Sequence, residues 1–184
     1  MKRQRVNVRC AANCIPLLIQ QKVREFDGFN RSWEEYKVGF NDTRGNYWLG
    51  NDLLSQLTAN GRYKLRFDLQ LLTNRSWYWA EYSSFVVYSE ATNYTLLVSG
   101  YSGNIGDALS HYDNNMFSTY DRDNNPWGDN CAAVIGGGFW YNGYNSCGRC
   151  RVNGHYYNFY WRQPNVNNQF YNHHLHRSRM WLTC

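Results

Sequence analysis

The stretch STYDRDNNPWGDNC, residues 118–131, concentrates oxygen-bearing side chains in a segment with neither helical nor strand periodicity. Its acidic and amide residues include Asp121, Asp123, Asn125 and Asp129. Side-chain oxygens at positions i, i+2 and i+4 converge only where the chain curls around one point, and a hard cation such as Ca²⁺ is the usual occupant of such a curl. The alternative is a solvated turn, because Asp, Asn, Gly and Pro dominate turns through local hydrogen bonds.

An EF-hand loop beginning at Asp121 is excluded by two residues. Its sixth position would be Pro126 instead of glycine, and its twelfth would be Ala132 instead of the closing glutamate. A calcium ion held here in another way would fix an irregular loop and would not catalyse a reaction.

The cysteines and sequons indicate a secreted, extracellular protein. Six cysteines lie outside the aliphatic runs, which favours disulfides over buried thiols. Four N-x-S/T sequons point the same way, and they begin at Asn30, Asn41, Asn74 and Asn93. The N-terminus shows no recognisable signal peptide, because the apolar run at 15–19 is short and contains proline.

A zinc site is the alternative use of the cysteines. Cys131, Cys147 and Cys150 together with His155 contain a C-x-x-C pair and a nearby histidine, which are zinc-ligand types. Paired disulfides suit a sequon-bearing secreted domain better.

Three other classes of function find little support in the sequence. The net charge of +5 comes from scattered Lys and Arg, and no RNP, KH-type or zinc-finger pattern accompanies it, so nucleic acid is not an expected partner. No segment is long and apolar enough for membrane insertion. An enzyme is not expected, because no H-E-x-x-H or G-x-S-x-G motif occurs, and His111 with Asp113 is more typical of an exposed loop pair than of an acid–base pair.

Two helices are predicted early in the chain, after a short strand at 17–23. Ser32 can cap a helix start, and Glu35 can return the hydrogen bond from three residues later. One face of this helix is aromatic, with Trp33, Tyr36 and Phe40. A second helix opens at 48–51, and its predicted buried stripe is Leu53, Leu54 and Leu57.

Strands follow the helices. From residue 63 to residue 71 apolar and polar side chains alternate, which is typical of a half-buried strand. Further strands are predicted at 80–88 and 94–98, with a turn at 90–93. Helices followed by an antiparallel sheet predict an α+β fold. Regular patterning nearly stops after Ser99, and such a long irregular region is usually functional or needs external ties.

The order of motifs resembles the fibrinogen C-terminal domain family, which fibrinogen chains, ficolins, tachylectins, angiopoietins and tenascins share. The matching motifs cover about residues 17–160, and they include NRSWEEYKVGF at 30–40, YWLGN at 47–51, FSTYDRD at 117–123, NCA at 130–132 and GFWY at 138–141. The resemblance implies short helices packed on a mainly antiparallel twisted sheet, followed by a long irregular calcium- and ligand-binding subdomain. It divides the chain into an N-terminal segment, 1–16, and a truncated fibrinogen C-terminal-like domain, 17–184, with the ligand-binding loops at about 99–171.

The same resemblance implies a Ca²⁺ site in the acidic stretch. Its ligands would be the side chains of Asp123 and Asn125 and the backbone oxygens of Trp127 and Asp129. The family usually has aspartate where this chain has Asn125. A neutral amide lowers the ligand charge, so we expect weaker calcium binding.

A disulfide between Cys131 and Cys147 is also implied by the resemblance. The chain-entropy model assigns about 3 kcal/mol of stabilisation to a disulfide that closes the loop between these two positions. Cys150 would then be the odd thiol.

In lectin-like members of the family, an acetyl group sits beside this disulfide in a pocket formed by a Cys-His pair after a cis bond. Here Ser146 precedes Cys147-Gly148, so the histidine is absent. Ordinary loop packing is the alternative for the candidate aromatic walls, which are Phe139, Tyr141, Tyr156, Tyr157 and Tyr160.

The C-terminal stretch departs most from the family pattern. The segment 171–176, rich in histidine, replaces a tryptophan-rich ending, and 180–182 resembles the closing strand only faintly. We expect a solvated turn at the histidines, with a transition-metal site as the alternative.

These features predict a calcium-supported recognition module of the innate-defence type, with lectin-like binding of acetylated sugars or other surface ligands. The alternative is a protein-binding, matrix or receptor-ligand module that uses the same face. Oligomers could form through regions outside this sequence or through spare cysteines, which are Cys10, Cys14 and Cys184.

Overall fold

The structure, a computed structural model, describes residues 15–23, 28–142, 147–164 and 170–184. Its strands are β1 Leu17–Val23, β2 Phe40–Asn41, β3 Tyr47–Trp48, β4 Lys64–Leu71, β5 Trp77–Val87, β6 Leu96–Gly103, β7 Cys150–Arg151, β8 Tyr160–Pro164 and β9 Phe170–Thr183. Its helices are α1 Trp33–Val38, α2 Asn51–Thr58 and α3 Cys131–Ile135. This arrangement confirms the predicted α+β fold. No helix among the described residues is long and apolar enough to cross a membrane.

The strands form a nine-stranded sheet in which every neighbouring pair is antiparallel. The main order is β2-β3-β1-β9-β4-β5-β6, and β8 pairs with both β7 and β9. Strand β9 therefore lies between β1 and β4, with Met180 opposite Phe67 and Gln20. The last described strand joins the first described strand to the middle of the sheet.

The prediction for the C-terminal stretch was wrong. Phe170–Thr183 is one 14-residue strand and contains no solvated turn at 171–176. Ser178, Met180 and Leu182 are buried in alternation, and Leu175 is buried beside a register shift between β4 and β9. Strands β1, β4 and β8 supply backbone hydrogen-bond partners on both sides. The pairing with neighbouring strands therefore stabilises a strand here although its sequence is polar.

The predicted capping box of α1 is confirmed. The backbone N–H of Glu35 donates to the Ser32 hydroxyl at 3.3 Å, and the backbone N–H of Ser32 donates to the Glu35 carboxylate at 2.9 Å. These bonds satisfy amide groups that a helix start leaves without partners. The bond from the Ser32 amide is also the largest of several causes that lower the pKa of Glu35.

The buried face of α2 was only partly predicted. Leu54 is buried, but Leu53 is 43% exposed, and the other buried positions are Asn51 and Thr58. Both polar residues have partners: Trp48 Nε1 donates to Asn51 Oδ1 at 3.0 Å, and the Thr58 hydroxyl donates to the Leu54 carbonyl at 2.8 Å. These hydrogen bonds offset part of the cost of burying two polar residues on a face that was predicted to consist of leucines.

Buried polar bonds tie the irregular half of the chain to the sheet. Gln20 Nε2 on β1 donates to Asn153 Oδ1 and to the Ser178 hydroxyl, both at 3.0 Å. Asn153 Nδ2 in turn donates to the Gly138 carbonyl at 2.9 Å, and the Gly138 N–H donates to the Tyr36 hydroxyl at 2.9 Å. These contacts supply part of the external support that the irregular region needs.

Candidate calcium loop and recognition surface

The acidic stretch is anchored to α1 by Asp121. Its carboxylate accepts the backbone N–H of Trp33 at 2.9 Å and the Thr119 hydroxyl at 2.7 Å. Asp121 therefore gives a further hydrogen-bond partner to the helix start that Ser32 caps, where a negative charge is favourable.

Two asparagines close the rest of the loop. Asn124 Nδ2 donates to the Phe117 carbonyl at 2.7 Å. Asn130 Nδ2 donates to the carbonyls of Thr119 and Tyr120, while its Oδ1 accepts the Ala133 N–H at the start of α3. Our sequence analysis did not single out either residue. The signal for Asn130 was present, because asparagine directly before a short helix is a favoured cap.

Hydrogen bonds of the Asn125 side chain join the four residues of the predicted calcium site. Asn125 Nδ2 donates to the Asp123 carboxylate and, at 3.3 Å, to the Asp129 carbonyl. Asn125 Oδ1 accepts the Trp127 N–H at 2.9 Å. The carboxylate and carbonyl oxygens are ligand types that calcium prefers, but the amide turns its N–H groups toward them. Within the described residues, no three His, Cys, Asp or Glu side chains form a group that could hold a metal ion.

The disulfide implied by the resemblance is present. Cys131 and Cys147 are bonded, with their Cα atoms 5.4 Å apart, so the zinc interpretation was wrong because both sulfurs are consumed. Cys150 is a free and buried thiol, and burial raises its pKa well above the ordinary value. Cys184 is disulfide-bonded and is therefore not a spare cysteine, whereas Cys10 and Cys14 lie outside the described residues.

Most of the predicted pocket residues lie in the core. Phe139 and Tyr141 are fully buried, and Cys147 and Tyr160 are 5% exposed. The Tyr141 hydroxyl donates to the Gly137 carbonyl at 2.6 Å, and burial raises its pKa. In this conformation the Phe139 and Tyr141 rings do not reach the surface. Ser146 lies outside the described residues.

Tyr156 and Tyr157 differ from the other predicted pocket residues because they lie at the surface. The two side chains are 50% and 76% exposed, and their rings meet edge to face with centroids 4.5 Å apart. They line a cleft of about 230 Å³ together with Leu72, His174 and Leu175. The cleft is partly open, and most of its lining is apolar.

A short helical turn, Tyr156–Asn158, positions the two tyrosines. The backbone N–H of His155 donates to the Ile135 carbonyl at 3.0 Å, which fixes the start of this turn to α3. The Arg151 guanidinium donates to Asn158 Oδ1 at 2.6 Å and fixes its end. The tyrosine pair is thus held from both sides.

A second cleft lies on the face of the sheet that is opposite the core. It measures about 350 Å³ and is lined by Pro16, Arg66, Asp68, Trp181 and Thr183. Arg66 stacks over Trp79 at 5.1 Å, and Arg179 stacks over Trp77 at 5.2 Å. We call this surface of alternating tryptophan and arginine the Trp/Arg face. Sequence analysis did not identify it, because the tryptophans are distributed over different strands.

The four sequons differ in their surroundings. Asn30, Asn41 and Asn74 are exposed, whereas Asn93 is half-buried. Asn74 lies in the turn between β4 and β5, and its Oδ1 accepts the Ser76 N–H at 3.0 Å. Asn93 Oδ1 accepts from the Arg122 guanidinium at 2.6 Å. Glycosylation at these positions stays a prediction.

Comparison with known proteins supports the observed fold. A family model described as the C-terminal globular domain of fibrinogen beta and gamma chains matches residues 4–178. The fibrinogen alpha chain of Rattus norvegicus is 46% identical over 156 residues, which cover 77% of this chain and 19% of that protein. Angiopoietin-related protein 7 of Bos taurus is 40% identical over 141 residues, which cover 76% of this chain and 40% of the relative. The chain thus spans less than half the length of these relatives.

Solved structures show the same similarity. The fibrinogen-like globe domain of human ANGPTL2 has a TM-score of 0.76 and 31% sequence identity, and the match covers 91% of this chain and 79% of that one. A lamprey fibrin D-dimer, solved with the peptide Gly-His-Arg-Pro-amide, has a TM-score of 0.73 and 27% identity over 90% of this chain and 60% of its own. From the fold, the disulfide and these matches, we conclude that the chain belongs to the family of fibrinogen C-terminal globular domains.

Proposed function

We propose that this domain is a secreted, extracellular recognition module that binds carbohydrate at the cleft beside Tyr156 and Tyr157. The observation that carries the proposal is the pair of exposed tyrosine rings held over an open cleft. Aromatic rings offer an apolar face for the C–H groups of a sugar, and their hydroxyl groups can hydrogen-bond to it. The domain would act by binding and not by catalysis.

The size of the cleft limits the ligand. Its volume of about 230 Å³ is below the roughly 300–1,000 Å³ of pockets that enclose a drug-sized molecule. A single sugar ring, such as an N-acetylated hexose on a surface glycan, suits it. One weak site of this kind would depend on clustering of several domains for useful avidity.

Calcium has a supporting role in the proposal. The Asp123 carboxylate, the Asn125 amide oxygen and the carbonyl groups of Trp127 and Asp129 would be its ligands. One carboxylate in place of two makes this a weak site. Isothermal titration with Ca²⁺ tests it: we expect weak binding by the wild type and none by Asp123→Ala.

The carbohydrate site is tested with immobilised N-acetylglucosamine. The double variant Tyr156→Ala with Tyr157→Ala should lose about tenfold or more in affinity, since each stacked ring contributes roughly 0.5–1.5 kcal/mol. Tyr171→Ala is the matched control, because Tyr171 is 53% exposed and does not line the cleft. An equal loss in both variants, or no loss in the double variant, would contradict the proposal.

A protein-binding module is the second candidate, and the Trp/Arg face favours it. Tryptophan and arginine are enriched among residues that dominate protein interfaces, and Trp77 on this face is 42% exposed. A peptide also occupies the related lamprey D-dimer. Trp77→Ala would then reduce capture of a receptor or matrix partner while leaving sugar binding unchanged.

A further inference from the structure

The side-chain amide of Asn125 lies at the centre of the predicted calcium loop. Its Nδ2 donates to the Asp123 carboxylate and to the Asp129 carbonyl, and its Oδ1 accepts the Trp127 N–H. The chemistry of these neighbours fixes the orientation of the amide. Carboxylate and carbonyl oxygens only accept, so they need the NH₂ group, whereas the Trp127 N–H only donates, so it needs the oxygen.

We propose that the Asn125 amide takes the place of a calcium ion, so that the loop at 123–129 keeps its conformation without metal. A bound cation would draw the oxygens of Asp123 and Asp129 together, and the NH₂ group, which carries a partial positive charge, makes the same two contacts. The inference concerns the loop itself and holds whichever ligand the domain binds.

Calcium has to compete with this arrangement. To present its oxygen to an ion, the amide of Asn125 must turn over, and its NH₂ group then faces the Trp127 N–H. The turned state loses the three hydrogen bonds that Asn125 makes with Asp123, Asp129 and Trp127 and sets two donors against each other. Calcium therefore binds weakly and is dispensable for folding.

Aspartate at position 125 would behave differently. One carboxylate oxygen could accept the Trp127 N–H while the other faces the ion, so no bond is lost when calcium binds. Without metal, the same carboxylate would lie against the carboxylate of Asp123, where like charges repel. Asn125→Asp should therefore convert a metal-independent loop into a calcium-dependent one.

The test is thermal unfolding of the intact domain in EDTA and in millimolar Ca²⁺. The wild-type melting temperature should differ by less than about 1 °C between the two conditions. Asn125→Asp should melt about 2–4 °C lower in EDTA, a shift that corresponds to a small loop destabilisation in a domain of this size, and calcium should restore it. Titration calorimetry should show at least about tenfold tighter Ca²⁺ binding by this variant.

Two further variants serve as controls. Gln56→Glu adds the same charge on the exposed side of α2 and should show no calcium dependence. The exchange Asp123→Asn with Asn125→Asp restores an amide beside a carboxylate and should recover stability in EDTA. The proposal is overturned if the wild type loses several degrees in EDTA, or if Asn125→Asp gains no response to calcium.

Discussion

The hydroxyl group of Tyr112 occupies the place where a β-carbon on Gly148 would stand. That hydroxyl accepts the Cys150 N–H at 2.8 Å and donates to the Cys150 carbonyl at 3.1 Å. Gly148 also has a φ of +90°, which other residues rarely adopt. A histidine side chain at position 148, which the lectin-like pocket pattern calls for, would therefore clash with this buried tyrosine.

A side chain at position 148 should destabilise the domain. Gly148→Ala and Gly148→His each combine backbone strain with overpacking, and we expect a loss of about 2–4 kcal/mol in the free energy of unfolding. Denaturant titration measures it. Gly128→Ala is the control, because its β-carbon would meet no atom within 4 Å, and a similar loss there would contradict this explanation.

Removal of the Cys131–Cys147 disulfide should lower the melting temperature. The bonded residues are 16 positions apart, so the chain-entropy model assigns the bond about 3 kcal/mol, or about 6–12 °C for a domain of this length. Calorimetry of Cys131→Ala with Cys147→Ala tests this value. Cys150→Ala leaves the bond intact, so its melting temperature should fall much less. An equal fall in both variants would show that the disulfide contributes little to stability.

Stability should decrease as the pH falls below 6.5, the ordinary pKa of histidine. Burial lowers the pKa of His173 below its ordinary value of 6.5, and burial together with the nearby Arg149 does the same for His111. A histidine whose pKa is lower in the folded state stabilises the fold above pH 6.5, and this contribution is lost as the pH falls through the folded-state pKa.

The pH effect is measured by urea unfolding at several pH values. His173→Gln, which does not titrate, should flatten the dependence below pH 6.5. The carboxylates with lowered pKa, among them Glu35 and Glu90, lose their stabilising effect at a lower pH than the histidines do. They therefore do not interfere with the measurement of the histidine effect. A stability that rises on acidification would contradict the assignment.

Glycosylation should distinguish Asn74 from Asn93. Asn74 is exposed in a turn between strands, whereas Asn93 binds Arg122 and its sequon threonine, Thr95, donates to the Thr92 carbonyl at 2.6 Å. After expression through a secretory pathway, peptide mass spectrometry should find a glycan on Asn74 and little on Asn93. Asn74→Gln should remove that glycan, and full occupancy at Asn93 would contradict the prediction.

Local rules in the sequence predicted the first half of the fold well. The capping box of Ser32 and Glu35 and the alternation along β4 act between near neighbours, so a single sequence reveals them. The same reasoning assigned Leu53 to the core and overlooked Thr58, because the burial of Thr58 depends on a distant partner: its hydroxyl accepts the Val87 N–H at 2.9 Å.

The second half depends on contacts between residues far apart in the sequence. Gln20, Asn153 and Ser178 form one buried cluster, and no local pattern connects them. The tyrosine cleft was found only in part for the same reason, since Tyr156 was predicted but Leu72 and His174 reach it from other elements. The disulfide was predicted through family resemblance and not from spacing.

The central position of β9 affects how the protein is made. Strands β1 and β4 are neighbours of β9 and not of each other, so they remain unjoined during translation until residues 170–183 have left the ribosome. Their apolar faces are exposed throughout that interval, and such nascent chains aggregate readily. Productive biosynthesis of this domain should therefore rely on chaperones that hold the incomplete sheet.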